Sequence, residues 1–200
     1  MNLGQHLKVN AKRFPATICL RDKDRAFSYP QTNARVNRLA NALLGLGLVK
    51  GDKVAVLLEN SIEIIECYLA TAKTGIVIVP INFRLVGPDI AYIVNNSDAK
   101  AFIVHDEFTA TVDAIRPELT AVADHRYIVV GRTAAGYRGF EELLGGAVDS
   151  EPAAMVAAED TWILIYTSGT TGKPKGAMRS HASHISFYLI NAIDFGFTHH

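Results

Sequence analysis

Between Tyr166 and Met178 the sequence reads YTSGTTGKPKGAM. The ten residues from Thr167 to Gly176 hold four hydroxyl side chains, three glycines, two lysines and one proline. Glycines at 169, 172 and 176 permit positive φ and let backbone N–H groups approach a ligand closely. Successive N–H groups in such turns form anion-binding nests. Thr167, Ser168, Thr170 and Thr171 add hydroxyl donors, while Lys173 and Lys175 add positive charge. Polyphosphate binding uses this set of groups, whereas apolar cargo has no need of it. By composition alone, the segment reads either as a polyphosphate-binding loop or as a surface loop rich in small polar residues.

The spacing excludes an ordinary P-loop. That pattern places four residues between its glycines and a Ser or Thr after the lysine. Here two residues separate Gly169 from Gly172, and Pro174 follows Lys173. A proline at 174 also disfavours helix at 173. The expected element is therefore a flap of hydroxyls, amides and lysine, with no helix N-terminus set directly on the phosphates.

Other reactive side chains read as structural. His181 and His184 are three apart at a helix start and are expected to be solvated or capping rather than metal-bound. Trp162 and Tyr166 belong to a strand and are expected to pack, and Cys67 belongs to a helix core without a base beside it. Arg84 is expected in a structural ion pair. Glu141-Glu142 and Glu159-Asp160 read as solvated faces.

The elements that must position this loop alternate along the chain. Leu3, Leu7, Ala11 and Phe14 recur at helical spacing. TICLR and RAFSY read as two short strands about Asp22-Lys23-Asp24. Pro30 suits a first helical turn, and Val36, Leu39, Ala40, Leu43 and Leu44 form the apolar stripe behind it. KVAVLL (53–58), IVIVP (76–80), AFIV (101–104), YIVV (127–130) and WILIY (162–166) read as buried strands. Helices fall between them, with Asn60 and Glu63 resembling a capping box, Gly75 a stop, Pro88 a start, and residues 108–118 a further helix. Residues 145–160 are small and acidic and read as a linker. A last helix is expected from about Ser180. Such alternation predicts an α/β fold: a mostly parallel sheet flanked by helices on both faces. The expected organisation is an α/β subdomain over 1–148, a linker over 149–160, and a strand, loop and helix over 161–200.

The 200 residues carry 20 basic and 20 acidic side chains, so no basic surface points to nucleic acid. Two cysteines, Cys19 and Cys67, lie far apart and suit a reducing compartment. The opening MNLGQHLKVNAKRF lacks the apolar core expected of a signal peptide, and the longest apolar stretch, near Leu39–Val49, is too short and too interrupted to be a transmembrane segment. A cytoplasmic location is expected.

TSGTTGKPKG resembles throughout the phosphate-binding signature of the adenylate-forming, AMP-binding superfamily, which includes acyl- and aryl-CoA synthetases. FSYPQTNARVNRLANALLGLGLVKGDKVAVLLENS and ATAKTGIVIVPINFRL resemble upstream segments of the same family. Within it, Pro80-Ile81-Asn82-Phe83-Arg84-Leu85 is more similar to the acyl-CoA synthetases than to peptide-synthetase domains. The resemblance implies an acid–CoA ligase that uses ATP, Mg2+ and CoA. It further implies that Thr167, Ser168, Gly169, Thr170, Thr171, Gly172 and Lys175 hold the nucleotide phosphates. A fatty acid is the first expectation for the carboxylic acid substrate. The family's Mg2+-binding Glu, ribose-binding Asp and reactive lysine have no counterpart in these 200 residues. The chain is thus expected to be an N-terminal part, inactive alone and without a catalytic residue of its own. Two other readings stay open: an adenylating domain that loads a carrier-protein thiol, and a non-catalytic nucleotide-binding module.

Overall fold

The computed structural model describes residues 2–167 and 172–196. Helix α1 (Leu3–Arg13) starts on a reciprocal cap, in which Asn2 Oδ1 accepts from the Gln5 N–H at 3.1 Å. Strands β1 (Ile18–Asp22) and β2 (Arg25–Ser28) pair as an antiparallel hairpin. Ser28 then caps α2 (Tyr29–Gly45), with Pro30 in its first turn.

The main sheet begins with β3 (Lys53–Leu57), followed by α3 (Ile62–Thr74), β4 (Val77–Pro80), α4 (Gly87–Asn96), β5 (Ala99–His105), α5 (Thr109–Ile115) and β6 (Tyr127–Val130). Then come β7 (Arg138–Gly139), α6 (Phe140–Gly145), β8 (Thr161–Thr167), β9 (Lys175–Ser180) and α7 (His181–Asp194). The strand order is β7-β6-β5-β3-β4-β8-β9, parallel except for the final β8–β9 pair. The α/β architecture with helices on both faces is as expected. The antiparallel β9, the short β7 and α6 carry no clear signal in the sequence. β9 is the consequential one, because KGAMRS has neither a β-branched residue nor an apolar alternation.

Alternation along the strands divides the core in two. Val54, Val56, Ile78, Ile103 and Ile128 face α2, α3 and α6, while Ala55, Leu57, Val79, Phe102 and Val104 face α4 and α5. The central strands are buried on both faces, which is why they read as unbroken aliphatic runs. Helix α3 ends at Gly75, whose φ of +73° closes the helix in the left-handed region. Its start differs from expectation: Ser61, not Asn60, caps it, with Oγ accepting from the Ile64 N–H at 3.4 Å. Glu63 is freed from capping and pairs with Arg25, Nη1 to Oε1 2.5 Å.

Residues 148–156 have little regular structure, yet asparagines clamp them to the helices. Asn41 donates to the Val148 and Ser150 carbonyls, each at 2.9 Å, and Asn37 donates to that of Asp149 at 2.8 Å. The buried Lys73 ammonium donates to Asn33 Oδ1 and Asn37 Oδ1, both at 2.7 Å, and to Glu151 at 2.8 Å. Asn2 donates to the Val156 carbonyl at 2.9 Å. This strap delivers the chain across α1, α2 and α3 to the start of β8. None of the described helices is long and apolar enough to cross a membrane.

Candidate phosphate-binding site

β8 runs parallel to β4, with Ile163 opposite Ile78, so Thr167 emerges at the carboxyl edge of the sheet. The helices that follow β3 and β4 go to opposite faces. In open α/β sheets such a reversal leaves a crevice at the carboxyl edge, where ligands bind. Thr167, where the polar segment begins, therefore lies at the edge where this fold class places its chemistry.

The candidate residues distribute as follows. Thr167 is the exposed last residue of β8, and Lys175 is the exposed first residue of β9, directly paired with it. Gly172 has φ +143°, which a side chain rarely adopts. Ser168, Gly169, Thr170 and Thr171 lie outside the described residues. Thus the hairpin brings Thr167 and Lys175 together at its neck. Lys175 and Gly176 are expected in the loop and are instead in a strand.

Gly176 corrects another expectation. It lacks positive φ. It is needed because side chains from β8 cross over it: an added Cβ would lie 2.9 Å from Leu164 Cδ1 and 3.1 Å from Tyr166 Cζ. Close approach, rather than backbone handedness, selects glycine there.

Helix α4 supports both legs of the hairpin. On the incoming leg, Tyr166 Oη donates to Asn96 Oδ1 at 2.7 Å. On the outgoing leg, Tyr92 Oη donates to the Pro174 carbonyl at 3.3 Å, and the Lys173 ammonium lies 5.1 Å from the Tyr92 ring centroid. Sequence reasoning places Tyr92 only within the short helix that Pro88 opens. Its contact with residues more than 80 positions later has no local signature.

The remaining candidates resolve by packing. Trp162 is buried, its Nε1 donating to the Tyr68 carbonyl at 3.0 Å. Cys67 is fully buried in α3, and burial pushes its thiol well up. His181 and His184 are buried rather than solvated, because α7 turns them onto Trp162, with ring centroids at 6.2 and 4.5 Å. Burial pushes His181 down to about 4 and also lowers His184. His181 Nδ1 accepts from the Leu3 N–H at 3.3 Å, so the neutral imidazole ties α7 to α1. Arg84 is exposed and forms no ion pair among the described residues; its guanidinium lies 5.7 Å from the Phe83 ring centroid. Glu141 is not simply a solvated face, since it pairs with Arg35, Nη2 to Oε1 2.6 Å, and Asp160 pairs with Lys50, Oδ2 to Nζ 2.5 Å.

A cavity of about 770 Å3 lies beneath α7, against α1 and α3, lined by Leu7, Leu20, Ile65, Leu69 and Leu189 among others. It is apolar, and neither Thr167 nor Lys175 lines it. The phosphate-binding candidate is instead the polar neck of the β8–β9 hairpin. No group of three or more His, Cys, Asp or Glu residues among the described residues could hold a metal ion.

Comparison with known proteins agrees with the α/β architecture. The family described as "AMP-binding enzyme" matches residues 7–199. The chain is 39% identical, over 160 residues, to the long-chain-fatty-acid–CoA ligase FadD13 of Mycobacterium tuberculosis, covering 80% of this chain and 31% of that protein. It is 31% identical over 182 residues to the fatty acid–[acyl-carrier-protein] ligase ScoC of Streptomyces coeruleorubidus, covering 90% of this chain and 33% of that protein. A crystal structure of the anthranilate CoA ligase AuaEII in complex with anthranoyl-AMP superimposes with a TM-score of 0.88 at 31% identity. That match covers 96% of this chain and 36% of the other. The chain spans about a third of the length of the relatives it matches.

Proposed function

Because this chain belongs to the AMP-binding enzyme family, we propose that it supplies the pyrophosphate-holding hairpin of an acid–thiol ligase that works through an acyl-adenylate. One observation carries the reading: Thr167 and Lys175, which flank the central residues of TSGTTGKPKG, are paired at the carboxyl edge of the sheet. In the first reaction a carboxylate oxygen of the acid attacks the α-phosphorus of ATP. The bond from that phosphorus to the bridging oxygen breaks, and pyrophosphate leaves with the electron pair. In the second, a thiolate sulfur attacks the acyl carbon and AMP departs.

The residues of this chain act on the leaving pyrophosphate. Thr167, Ser168, Thr170 and Thr171 donate hydroxyl hydrogen bonds to the β- and γ-phosphates, and the segment's glycines bring backbone N–H groups within reach. Lys175 adds a charge-assisted contact where negative charge grows, which lowers the barrier as well as binding the nucleotide. Mg2+ would accompany the nucleotide and finds no built site among the described residues. The acid is taken to be a fatty acid and the thiol that of CoA, a reading supported by the mycobacterial relative. A carrier-protein thiol is the second reading, favoured by the Streptomyces relative.

The test is acid-dependent AMP release by the full-length protein, measured with fatty, aryl and short-chain acids. CoA and a phosphopantetheinylated carrier protein serve as alternative acceptors. Acyl-CoA formation from a fatty acid is expected. Failure of every acid to release AMP or to support ATP–pyrophosphate exchange would remove the proposal. Product only on the carrier protein would transfer it to the second reading.

A further inference from the structure

We infer that Tyr92 is a positioning residue for nucleotide binding: it fixes the outgoing leg of the β8–β9 hairpin through the Lys173 ammonium and the Pro174 carbonyl. This rests on the functional reading above and adds a residue to it. The two contacts are independent and come from one side chain. The ring face receives Lys173 at 5.1 Å from its centroid, while the hydroxyl donates to Pro174 at 3.3 Å. A cation over an aromatic face within about 6 Å is attracted by the ring quadrupole.

Four residues further along α4, Asn96 accepts from Tyr166 on the incoming leg at 2.7 Å. Residues at this spacing lie on one helical face. A single rigid face of α4 therefore grips both legs of the hairpin, two residues before Lys175 on one side and one residue before Thr167 on the other. Tyr92 is half-buried, and its neighbours Ile90, Ile93 and Val94 are fixed in the core. The post on which the legs rest is itself immobilised. Fixing the legs before the nucleotide arrives reduces the ordering cost of binding. This support acts on nucleotide affinity and leaves acid and thiol recognition to other parts of the protein.

The experiment is a double-mutant cycle between Tyr92 and Lys173 in the full-length protein, following acid-dependent AMP release. Tyr92→Leu is expected to raise KM for ATP about two- to fivefold, the range of one exposed cation–π contact. The turnover number at saturating ATP and KM for the acid should stay nearly constant. Tyr92→Phe keeps the ring and should recover most of the wild-type KM. In a Lys173→Met background, Tyr92→Leu should have a smaller effect than in the wild type, limited to the loss of the hydroxyl contact with Pro174. Equal effects of Tyr92→Leu in both backgrounds, or a matching rise in KM for the acid, would overturn the inference.

A direct readout separates this inference from the functional reading. In the wild-type protein the Lys173 ε-methylene protons should show an upfield ring-current shift by NMR, retained in Tyr92→Phe. An unshifted Lys173 in the wild type overturns the inference even if Tyr92→Leu fails to fold. A shifted Lys173 in a protein that activates no acid leaves the contact standing and removes the functional reading alone.

Discussion

At the scale of single residues, Lys175 and Gly176 are neighbours with different tasks. Lys175→Ala removes a charge-assisted contact of about 1.5–3 kcal/mol. If that contact strengthens as pyrophosphate departs, kcat for adenylation should fall more than KM for ATP rises. Gly176→Val instead drives a branched side chain into Leu164 and the Tyr166 ring. It should raise KM for ATP and loosen the hairpin, with a smaller loss in kcat. Kinetics of ATP–pyrophosphate exchange separate the two, and identical kinetic changes would refute the division of labour. His181 offers a pH prediction. Burial holds its folded-state value at about 4, against an ordinary 6.5, with Asp160 opposing that shift and His184 and Lys50 reinforcing it. Between those values the unfolded chain binds more protons, so stability is full above about pH 6.5 and falls as pH drops toward 4. The loss is up to about 3 kcal/mol, chiefly because burial denies the imidazolium its hydration. Urea melts at pH 7 and pH 4.5 should show this slope in the wild type and a shallower one in His181→Gln.

Among the elements, the strap over residues 148–156 depends on Lys73. Its ammonium is buried, which lowers its pKa, and the Glu151 carboxylate offsets part of that cost. The stem also fills the α1–α3 contact: a Cβ on Gly4 would lie 2.8 Å from Lys73 Cγ. Lys73→Met keeps the stem and deletes the charge. It leaves Glu151 Oε2 and two asparagine oxygens without the lysine donor, while Glu151 Oε1 still accepts from Asn33 and Asn37; the cost is about 2 kcal/mol because Glu151 is partly solvated. Limited proteolysis within 148–157 should accelerate in Lys73→Met more than cleavage elsewhere. Unchanged cleavage there would show that the asparagine clamps alone hold the strap.

Across the whole molecule, protection should follow position in the sheet. β3 and β5 are central, buried on both faces and paired on both edges. β9 is the last strand in the order and mostly exposed. Hydrogen exchange should therefore be slowest for amides within 54–57 and 102–104 and fastest, among the sheet strands, within 175–180. Comparable protection of β9 and β3 would contradict this ordering. α7 follows β9 and exposes Leu189, Ile190 and Ile193 at 60, 58 and 80%. Its first turn is attached to the body by His181 and His184 against Trp162, by the Leu3 N–H to His181 bond, and by backbone bonds to Asp160 and Ala158.

The sequence by itself determined the fold class, because strands buried on both faces require aliphatic runs and the intervening helices require apolar stripes. It also determined the composition of the proposed phosphate-binding segment, four hydroxyls, three glycines and two lysines in ten residues. Only the tertiary structure decided how that segment is held. β9 forms because β8 offers an unpaired edge, so its polar residues gain backbone partners that no local preference could supply. Glu63 leaves its expected cap for Arg25, brought close by the β1–β2 hairpin packed beside α3. His181 and His184 are buried because α7 lies across Trp162, and Tyr92 meets Pro174 because α4 packs beneath the neck. Each of these contacts joins residues distant in sequence, where spacing and composition carry no information about which surfaces will meet.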